Sequence, residues 1–512
     1  MQKKTIFITG TTGSMGGAGL AALLQRTDRF NLVTLARPST KNKTLLQQYS
    51  ATPGLRIVWG DLTRYEDVLE CVTGADYVLH PAALIAPEAD HDPVNARRIN
   101  VGSAENIVRA IKAQPDPDSI KLVNIGSVAM TGDRLYPIHV GRTGDPLKPS
   151  IYDAYACSKI DAERVVAESG LKYWVSCRQT FVAIPDTMAL MDPIMFHQPL
   201  ETCIEFCTAA DAGLLLANVC EDSVPEAFWR RFYNIGGGPA ARLTFLELME
   251  QVFGALGIGK PEGLAQRNWF ALRNFHCHWF EDSGKLNDYL QFQTMGVEEY
   301  VQSVVDSAPW YAKLPALPGM RSIMSAKAVQ GMIRHFLMKP LATKTPDSTM
   351  YWLSDNLEDR ISAFFRSRET WQQIPRGWDD IRRPGYGEYQ RLDHGYDESL
   401  EDAALDIVQM QGAARFRGGK CLAATMAAGD LLRAPPWQCW RGHRFTMTPN
   451  SVLKGGHWCP ECEPARRGWD YDEEAKHNPY FAQVWYTNHD RDEASYYPPE
   501  CYLDILGSQR RT

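Results

Sequence analysis

Short apolar runs alternate with amphipathic stretches along the first quarter of the chain. The runs predict five strands, at 5–8, 31–35, 55–59, 76–80 and 121–125. The stretches between them predict helices at 17–24, 65–72 and 101–112. Strands separated by helices are typical of right-handed βαβ units and a mostly parallel sheet. Such sheets bind ligands beyond the carboxyl ends of their strands, so the residues at those ends are the first candidates for a site.

The pattern changes along the rest of the chain. Further strands are predicted at 173–177, 204–207 and 232–235, and further helices at 209–219, 244–255 and 296–306. Beyond about 310, stretches rich in Trp, Arg and Pro predict helices without the βα alternation. We therefore expect a doubly wound, Rossmann-type α/β unit, a helical extension and a small C-terminal module with a tail. The α/β unit is expected at 1–310, with a cofactor part at about 1–170 and a substrate lobe at about 180–310. The helical extension is expected at 311–410, and the C-terminal module with its tail at 411–512.

Composition limits the classes of function. The chain has 54 Lys and Arg against 61 Asp and Glu, a net charge of −7, so no nucleic-acid partner is expected. No run of apolar residues is long enough to predict a membrane span, and the strand at the N-terminus leaves no room for a signal peptide. Twelve cysteines in 512 residues are too few for a disulfide scaffold. We expect a cytoplasmic protein, and also a homodimer.

A glycine-rich turn, Thr9-Gly10-Thr11-Thr12-Gly13-Ser14-Met15-Gly16, joins the first strand to the first helix. Glycines there permit a close backbone approach to a pyrophosphate, and the helix N-terminus favours its charge. We predict that a dinucleotide contacts Gly10, Thr12, Gly13, Ser14, Met15 and Gly16. The second strand ends at Arg37 without an acidic residue for a ribose 2′-hydroxyl. This favours NADP(H), with NAD(H) as the alternative.

A group for proton transfer follows the glycine turn. Tyr155 and Lys159 are four residues apart, on one face of a predicted helix, and Ser127 lies just beyond the fifth strand. A free tyrosine has a pKa near 10, and a neighbouring ammonium lowers it. We predict that Tyr155 exchanges a proton with a substrate oxygen while hydride moves at the adjacent carbon. Lys159 would lower the pKa of Tyr155 and bind the nicotinamide ribose, and Ser127 would hydrogen-bond the substrate oxygen.

Together these motifs resemble the extended short-chain dehydrogenase/reductase family, which includes nucleotide-sugar epimerases, dehydratases and 3β-hydroxysteroid dehydrogenases. The resemblance covers roughly residues 1–310. It extends to the segments Gly60-Asp61-Leu62, His80-Pro81-Ala82-Ala83, Asn100-Val101, Asp211-Ala212-Gly213 and Tyr233-Asn234-Ile235-Gly236-Gly237. It implies catalytic roles for Ser127, Tyr155 and Lys159. It also implies that the cofactor contacts Asp61, Leu62, Ala82 and Asn100, besides Tyr155, Lys159 and the glycine turn.

The residues after the sixth strand bear on the substrate. Nucleotide-sugar enzymes of this family usually carry an Asn after a strand-end Arg, whereas this chain reads Arg178-Gln179-Thr180-Phe181. A phenyl ring cannot hydrogen-bond a pyrophosphate, and the pattern is more similar to the steroid and alcohol dehydrogenase branch. The segment 188–196 is strongly apolar. We predict that a bulky hydrophobic substrate is lined by Phe181, Met188, Met191 and Met195.

Three functional hypotheses follow. The first is an NADP(H)-dependent oxidoreductase that interconverts a secondary alcohol and a ketone on a hydrophobic substrate, with a 3β-hydroxysteroid as its most specific form. The alternative is a nucleotide-sugar epimerase or dehydratase with tightly bound NAD. The third is a nicotinamide-sensing scaffold protein, and the intact Ser127, Tyr155 and Lys159 disfavour it because a sensor needs no proton relay.

Soft metal ligands cluster near the C-terminus. A Cys-x3-His pair is followed by a Cys-x2-Cys pair, an arrangement that resembles a zinc ribbon and suits structural zinc. The predicted ligands are Cys439, His443, Cys459 and Cys462. Cys421 or His457 could replace His443 as the fourth ligand.

Apolar residues at helical spacing, among them Val329, Ile333 and Phe336, form a stripe on a basic stretch that includes Arg334 and Lys339. We favour packing of this stripe on the protein itself, as a lid over the substrate pocket or a bridge to the zinc module. The alternative is a weak contact with an anionic membrane surface.

Overall fold

The computed structural model describes residues 3–186, 191–313, 326–462, 468–493 and 497. Its strands are β1 (Lys4–Ile8), β2 (Phe30–Ala36), β3 (Leu55–Trp59), β4 (Tyr77–His80), β5 (Lys121–Ser127), β6 (Val140–Gly141), β7 (Tyr173–Gln179), β8 (Val182–Ala183), β9 (Cys203–Glu205), β10 (Cys207–Thr208), β11 (Arg231–Ile235), β12 (Arg242–Thr244), β13 (Trp279–Phe280), β14 (Lys420–Cys421), β15 (Pro436–Gln438) and β16 (Arg444–Thr446).

Its α-helices are α1 (Ser14–Leu24), α2 (Thr40–Gln47), α3 (Tyr65–Val72), α4 (Glu88–His91), α5 (Pro93–Lys112), α6 (Ala154–Ala167), α7 (Ala209–Asn218), α8 (Phe245–Ala255), α9 (Ser283–Leu290), α10 (Val297–Ser307), α11 (Trp310–Lys313), α12 (Ala326–Ile333), α13 (Lys339–Thr343), α14 (Thr349–Ser354), α15 (Glu358–Phe365), α16 (Arg368–Gln372), α17 (Ile407–Phe416), α18 (Tyr471–His477) and α19 (Pro479–Trp485).

Seven strands form one parallel sheet in the order β3-β2-β1-β4-β5-β7-β11. The apolar strands have helices on both faces, as a doubly wound sheet requires. Helices α1, α7 and α9 pack on one face, and α3, α5 and α6 pack on the other. The predicted Rossmann-type fold class is confirmed. The strand order reverses between β1 and β4, and ligands bind such sheets at that point.

Two predicted elements differ in detail. The single strand predicted at 204–207 is two strands, because β9 pairs antiparallel with β12 whereas β10 pairs parallel with β8. Helix α5 begins at Pro93, earlier than predicted, because the Asp92 side chain accepts a hydrogen bond from the backbone N–H of Asn95 and caps it. In the described part of the chain, no helix is long and apolar enough to cross a bilayer.

The C-terminal residues pack against the segment that leads from β5 into α6. The hydroxyl of Tyr471 donates to the carbonyl oxygen of Pro149 at 2.9 Å. The side-chain amide of Asn488 donates to the Asp133 carboxylate at 2.9 Å, and the Tyr480 hydroxyl donates to the carbonyl of Gly144. The C-terminal part therefore contacts the region that precedes the predicted catalytic helix.

Candidate active site

One cavity of about 1120 Å³ follows the carboxyl edge of the sheet. It exceeds the roughly 300–1,000 Å³ usual for a single small ligand, so it can hold a dinucleotide and a substrate together. The structure brings most of the predicted site residues to its wall: Gly10, Thr12, Gly13, Ser14, Met15, Gly16, Arg37, Asp61, Leu62, Ala82, Ser127, Tyr155, Lys159, Phe181, Met191 and Met195.

The glycine turn lies at one end of this cavity. Gly10 has a φ of +65°, a conformation that favours glycine. A Cβ on Gly16 would lie 2.2 Å from the carbonyl oxygen of Gly10, so the helix can begin this close to the strand only with glycine at that position. Gly13 is extended and immediately precedes α1. The turn therefore presents the N-terminus of α1 to the cavity, as a pyrophosphate site requires.

Arg37 and Asp61 follow β2 and β3 beside this turn. Arg37 is exposed, and Asp61 accepts two hydrogen bonds from Thr63, each of 2.8 Å. Burial opposes ionisation of Asp61, but these bonds and the charges of Arg37 and Arg98 hold the pKa of its carboxyl below the usual range. The arrangement offers one cation and one carboxylate to the adenosine end of a dinucleotide.

Asn100 is placed differently from the other predicted cofactor contacts. Its side-chain amide accepts from the N–H of Leu84 at 2.7 Å and donates to the carbonyl of Leu84 and to Ser158. It is not among the residues that line the cavity. Asn100 thus fixes the loop after β4 against α6, and its contact with the cofactor stays a prediction.

Ser127, Tyr155 and Lys159 meet in the middle of the cavity. Ser127 ends β5, and Tyr155 and Lys159 are one turn apart on α6, where the Asp153 side chain caps the helix by accepting from the N–H of Ala156 at 2.7 Å. The side chains of Ser127 and Tyr155 are hydrogen-bonded to each other. Strand and helix thus bring together two groups that are separated by 28 positions in the sequence.

The electrostatics of this group differ from the prediction in one respect. Burial raises the pKa of Tyr155 to about 12, while the hydrogen bond with Ser127 opposes the rise. The predicted lowering by Lys159 is therefore not what the structure shows, because burial and the charges of Asp153 and Asp90 raise the pKa of the phenol. Burial lowers the pKa of Lys159 to about 8, and the charge of Glu163 opposes that fall. At neutral pH the phenol is protonated and the amine is charged.

The other end of the cavity is apolar. Phe181, Met191 and Met195 line it, whereas Met188 lies outside the described residues. The sequence interpretation missed further apolar walls, from α8 (Leu248, Met249, Val252, Phe253) and from Leu264 and Tyr300. It also missed His276, which lines the cavity with its Nδ1 3.5 Å from the Asp153 carboxylate. The regular apolar spacing of α8 was visible in the sequence, but nothing local indicated that it faces a ligand.

The basic amphipathic stretch forms α12, one π-helical turn and α13. Val329, Ile333 and Leu337 line the apolar end of the cavity, so this part of the predicted stripe packs on the protein. Met332 and Phe336 point outward, and Phe336 is 76% exposed. One face of this helical stretch thus covers the apolar end of the cavity.

The predicted zinc ligands also meet. Cys439 and His443 lie on the turn between β15 and β16. Cys459 and Cys462 lie further along the chain, at a short 3-10 helix (Pro460–Cys462) that follows a π-helical turn (Asn450–Lys454). His443 Nδ1 is 3.4 Å from Cys439 Sγ, 3.5 Å from Cys459 Sγ and 3.4 Å from Cys462 Sγ. The Cys439 and Cys462 sulfurs are 3.8 Å apart. In the structure, His443 is therefore the fourth member of the cluster, in place of Cys421 or His457.

The fold is Rossmann-type, and residues 6–181 match the family described as the NAD dependent epimerase/dehydratase family. The chain is 31% identical over 173 residues to UDP-glucose 4-epimerase of Rickettsia akari, covering 33% of this chain and 48% of the relative. It is 29% identical over 109 residues to the inverting UDP-N-acetylglucosamine 4,6-dehydratase of Campylobacter jejuni, covering 21% of this chain and 32% of the relative.

A solved structure with a similar fold is dTDP-glucose 4,6-dehydratase of Bacillus anthracis in complex with NAD. It is 17% identical, with a TM-score of 0.47, and the match covers 60% of this chain and 98% of that one. The chain spans at most about half the length of the two curated relatives. Both relatives are named for nucleotide-sugar substrates, and neither name mentions a steroid, zinc or NADP.

Proposed function

We propose that the protein is an NAD(P)(H)-dependent enzyme that oxidises and reduces a carbon bearing a hydroxyl group. The observation that carries this proposal is the hydrogen-bonded pair Ser127 and Tyr155, which lies with Lys159 between the glycine turn and the apolar end of one cavity. A bound nicotinamide would accept or supply the hydride. The chain itself has to orient the substrate oxygen and move one proton.

Tyr155 is the group for that proton. A phenol whose pKa is about 12 is protonated at neutral pH, so it can donate to a carbonyl oxygen that becomes a hydroxyl as hydride reaches its carbon. In the opposite direction the phenolate takes the hydroxyl proton. Ser127 hydrogen-bonds the same oxygen, and the Lys159 ammonium stabilises the phenolate.

Arg37 supports NADP(H) as the preferred cofactor. It lines the adenosine end of the cavity immediately after β2, where an acidic residue would instead bind a ribose 2′-hydroxyl. The side chain is exposed and therefore free of the desolvation cost that a buried guanidinium would carry.

Two substrate classes are candidates. A bulky apolar alcohol or ketone is favoured by the cavity. Among its described lining residues, the Lys and Arg side chains are Arg37 and Arg98, near Asp61, and Lys159, beside Tyr155 on α6. Within the described residues, the apolar end therefore offers no Lys or Arg to a pyrophosphate. A nucleotide sugar is favoured by the curated relatives. However, the family match ends at residue 181, before most of the residues that line the apolar end. We therefore place the apolar substrate first.

One experiment tests both the reaction and the substrate. The purified protein is incubated with NADPH or NADP⁺, and separately with NADH or NAD⁺, against ketosteroids, hydroxysteroids, other hydrophobic ketones and UDP- or dTDP-sugars. Absorbance of the reduced nicotinamide at about 340 nm and product analysis are followed together. Stoichiometric cofactor turnover with a hydrophobic ketone supports the first candidate. Sugar conversion without net cofactor turnover supports the second, and no reaction with any class contradicts the enzyme proposal.

We also propose that Cys439, His443, Cys459 and Cys462 hold one structural Zn²⁺ ion. Tetrahedral zinc with Zn–S near 2.3 Å and Zn–N near 2.0 Å places two sulfurs about 3.8 Å apart and a sulfur and a nitrogen about 3.5 Å apart. The distances in this cluster agree with both values to within about 0.1 Å. Four protein ligands leave no open position, so the ion would stabilise the fold without taking part in the reaction.

Metal analysis tests this assignment. We expect one zinc per chain by mass spectrometry of the purified protein, and loss of that zinc in Cys459→Ser. Cys421→Ser is the matched control, because Cys421 lies on the neighbouring strand β14 but outside the cluster. Replacement of zinc by Co²⁺ should give the intense visible absorption of tetrahedral cobalt with thiolate ligands. Equal metal content in Cys459→Ser and the wild type would contradict the proposal.

A further inference from the structure

A buried ion pair joins α6, the helix that carries Tyr155 and Lys159, to strand β7, and neither of its members lines the cavity. Glu163 is on α6, four residues after Lys159 and eight after Tyr155, and is fully buried. Its carboxylate accepts from the Arg178 guanidinium through Nη2 at 2.6 Å and Nε at 3.1 Å. It also accepts from the Ser176 hydroxyl at 2.8 Å. The strand-end Arg178 is thus bound to the catalytic helix and does not line the cavity.

The C-terminal part of the chain completes this ion pair. The Nε2 of His457 is 2.9 Å from the Glu163 carboxylate, and His457 is buried. The Arg178 guanidinium donates to the backbone carbonyl of Gly455. One short C-terminal segment, Gly455 to His457, therefore contacts both members of the ion pair, Glu163 and Arg178.

The same ion pair also lies against the strand that carries Ser127. In the parallel pairing of β5 with β7, Gly126 is opposite Arg178. A Cβ at Gly126 would lie 3.1 Å from the Arg178 side chain and 3.2 Å from the Glu163 carboxylate. Movement of Glu163 or Arg178 would therefore change the packing around Gly126, the residue next to Ser127, as well as the packing of α6.

We propose that Glu163 is a positioning residue for the Tyr155 and Lys159 pair, and that His457, supplied by the C-terminal part of the chain, holds it in place. This inference rests on the proposed oxidoreductase function of that pair. It makes the C-terminal part a component of the reaction machinery without placing any of its residues in contact with the substrate.

The charges around Lys159 explain what Glu163 would do. The titratable groups that face it are Tyr155 and Glu163 on its own helix and His80 on β4. Burial and the charge of Lys159 lower the pKa of His80 to about 3, so His80 is neutral. Burial disfavours the Lys159 ammonium, and the Glu163 carboxylate opposes this effect. Glu163 itself stays ionised, because Arg178 and the His457 hydrogen bond hold its pKa at about 2 despite burial.

The first test is Glu163→Gln, which keeps the shape of the side chain and removes its charge. Turnover is measured against pH with NADPH and the best ketone of the panel. The ammonium of Lys159 becomes less stable without its carboxylate, so we expect the alkaline limb of kcat to move about one pH unit lower. At pH 9 this corresponds to a roughly 10-fold loss relative to wild type. Affinity for NADPH at pH 6.5 should change less than about 3-fold.

Asp161→Asn is the matched control for that variant. Asp161 is another buried carboxylate of α6, but it is paired with Arg97 and Arg164. Its loss removes the same charge from the same helix and should leave the alkaline limb unmoved. An equal shift in both variants would indicate a general effect of charge on α6 and would overturn the positioning role of Glu163.

The second test concerns His457 and covers the case in which Glu163→Gln fails to fold. In His457→Leu the donor to Glu163 is lost, and we expect kcat to fall at least about 5-fold with a smaller change in KM. In His457→Gln the side-chain amide can donate in place of Nε2, and kcat should recover to within about 2-fold of wild type. Equal kcat in the leucine and glutamine variants would overturn the contribution of His457.

The outcomes separate this inference from the proposed function. A wild-type protein that binds no nicotinamide and turns over no substrate overturns the proposed function and this inference with it. An active wild type whose alkaline limb is unchanged in Glu163→Gln overturns the inference alone.

Discussion

The closest backbone approach in the glycine turn gives a quantitative prediction for cofactor binding. A methyl group at position 16 would lie 2.2 Å from the carbonyl oxygen of Gly10 and 2.5 Å from its carbonyl carbon. Favourable contacts between carbon atoms are about 3.5–4.0 Å, so Gly16→Ala has to displace the turn by about 1 Å. The same Gly10 oxygen accepts a hydrogen bond of 2.9 Å from the N–H of Gly13. The substitution therefore disturbs the backbone groups proposed to bind a pyrophosphate.

The expected loss follows from these contacts. Overpacking of this kind costs about 1–3 kcal/mol, and loss of one backbone hydrogen bond costs about 1 kcal/mol more. Half of this cost, about 1–2 kcal/mol, would raise the Kd for NADPH about 5- to 30-fold if it falls on the bound turn, since about 1.4 kcal/mol is a factor of ten in affinity. Fluorescence of the bound reduced nicotinamide measures the Kd, and circular dichroism measures the thermal unfolding of the same samples.

Gly102→Ala is the control for this prediction. Gly102 lies within α5, and a Cβ there would meet no atom within 4 Å. Alanine is favoured over glycine inside a helix by about 1 kcal/mol, so this variant should be slightly more stable and should bind NADPH as wild type does. If Gly16→Ala bound NADPH as tightly as Gly102→Ala, the assignment of the glycine turn as the dinucleotide site would be refuted.

Two further predictions concern cofactor choice and pH. Arg37→Ala should weaken NADPH binding about 10-fold and leave NADH binding within about 2-fold, because only the 2′-phosphate loses a charged partner; competitive titration of both cofactors checks this. The melting temperature should fall as the pH decreases from about 6.5 towards 4. Burial lowers the pKa of His80 to about 3 and that of His278 to about 4, so the unfolded chain takes up protons that the folded chain refuses. Replacement of His278 by Gln should flatten this slope, and an unchanged slope would contradict the account of that histidine.

Local patterns were sufficient to predict the sheet. Strands buried on both faces are short continuous apolar runs, and β1 to β5 and β7 lie within about two residues of their predicted positions. Helix α2 was not predicted, because its sequence is mostly polar and Leu46 is its one buried residue. The early start of α5 had a local signal in Asp92-Pro93, a capping residue followed by the residue preferred in the first turn. The helix α2 was missed because its apolar pattern is weak, and the start of α5 was misplaced because its capping signal was not used.

The candidate site was predictable only in part. The glycine turn, Ser127, Tyr155 and Lys159 are each recognisable within a few residues of a strand end or helix face. In contrast, the apolar wall from α8 and the bond between Glu163 and His457 join parts of the chain that are far apart. The latter pair is separated by 294 positions, and no periodicity within a helix or strand reports such a contact. The charge state of Tyr155 also depends on how deeply its side chain is buried, and the spacing of Tyr155 and Lys159 in the sequence does not predict that burial.

The most direct measurement of the central claim is single-turnover reduction by Tyr155→Phe. The variant keeps the ring of Tyr155 and removes the hydroxyl that meets Ser127. With NADPH and a ketone substrate of the wild type, we expect NADPH affinity within about 2-fold of wild type and a rate of hydride transfer lowered at least about 100-fold, the range usual for loss of a general acid. A variant that reduces the ketone at the wild-type rate would show that the proton comes from elsewhere and would contradict the account.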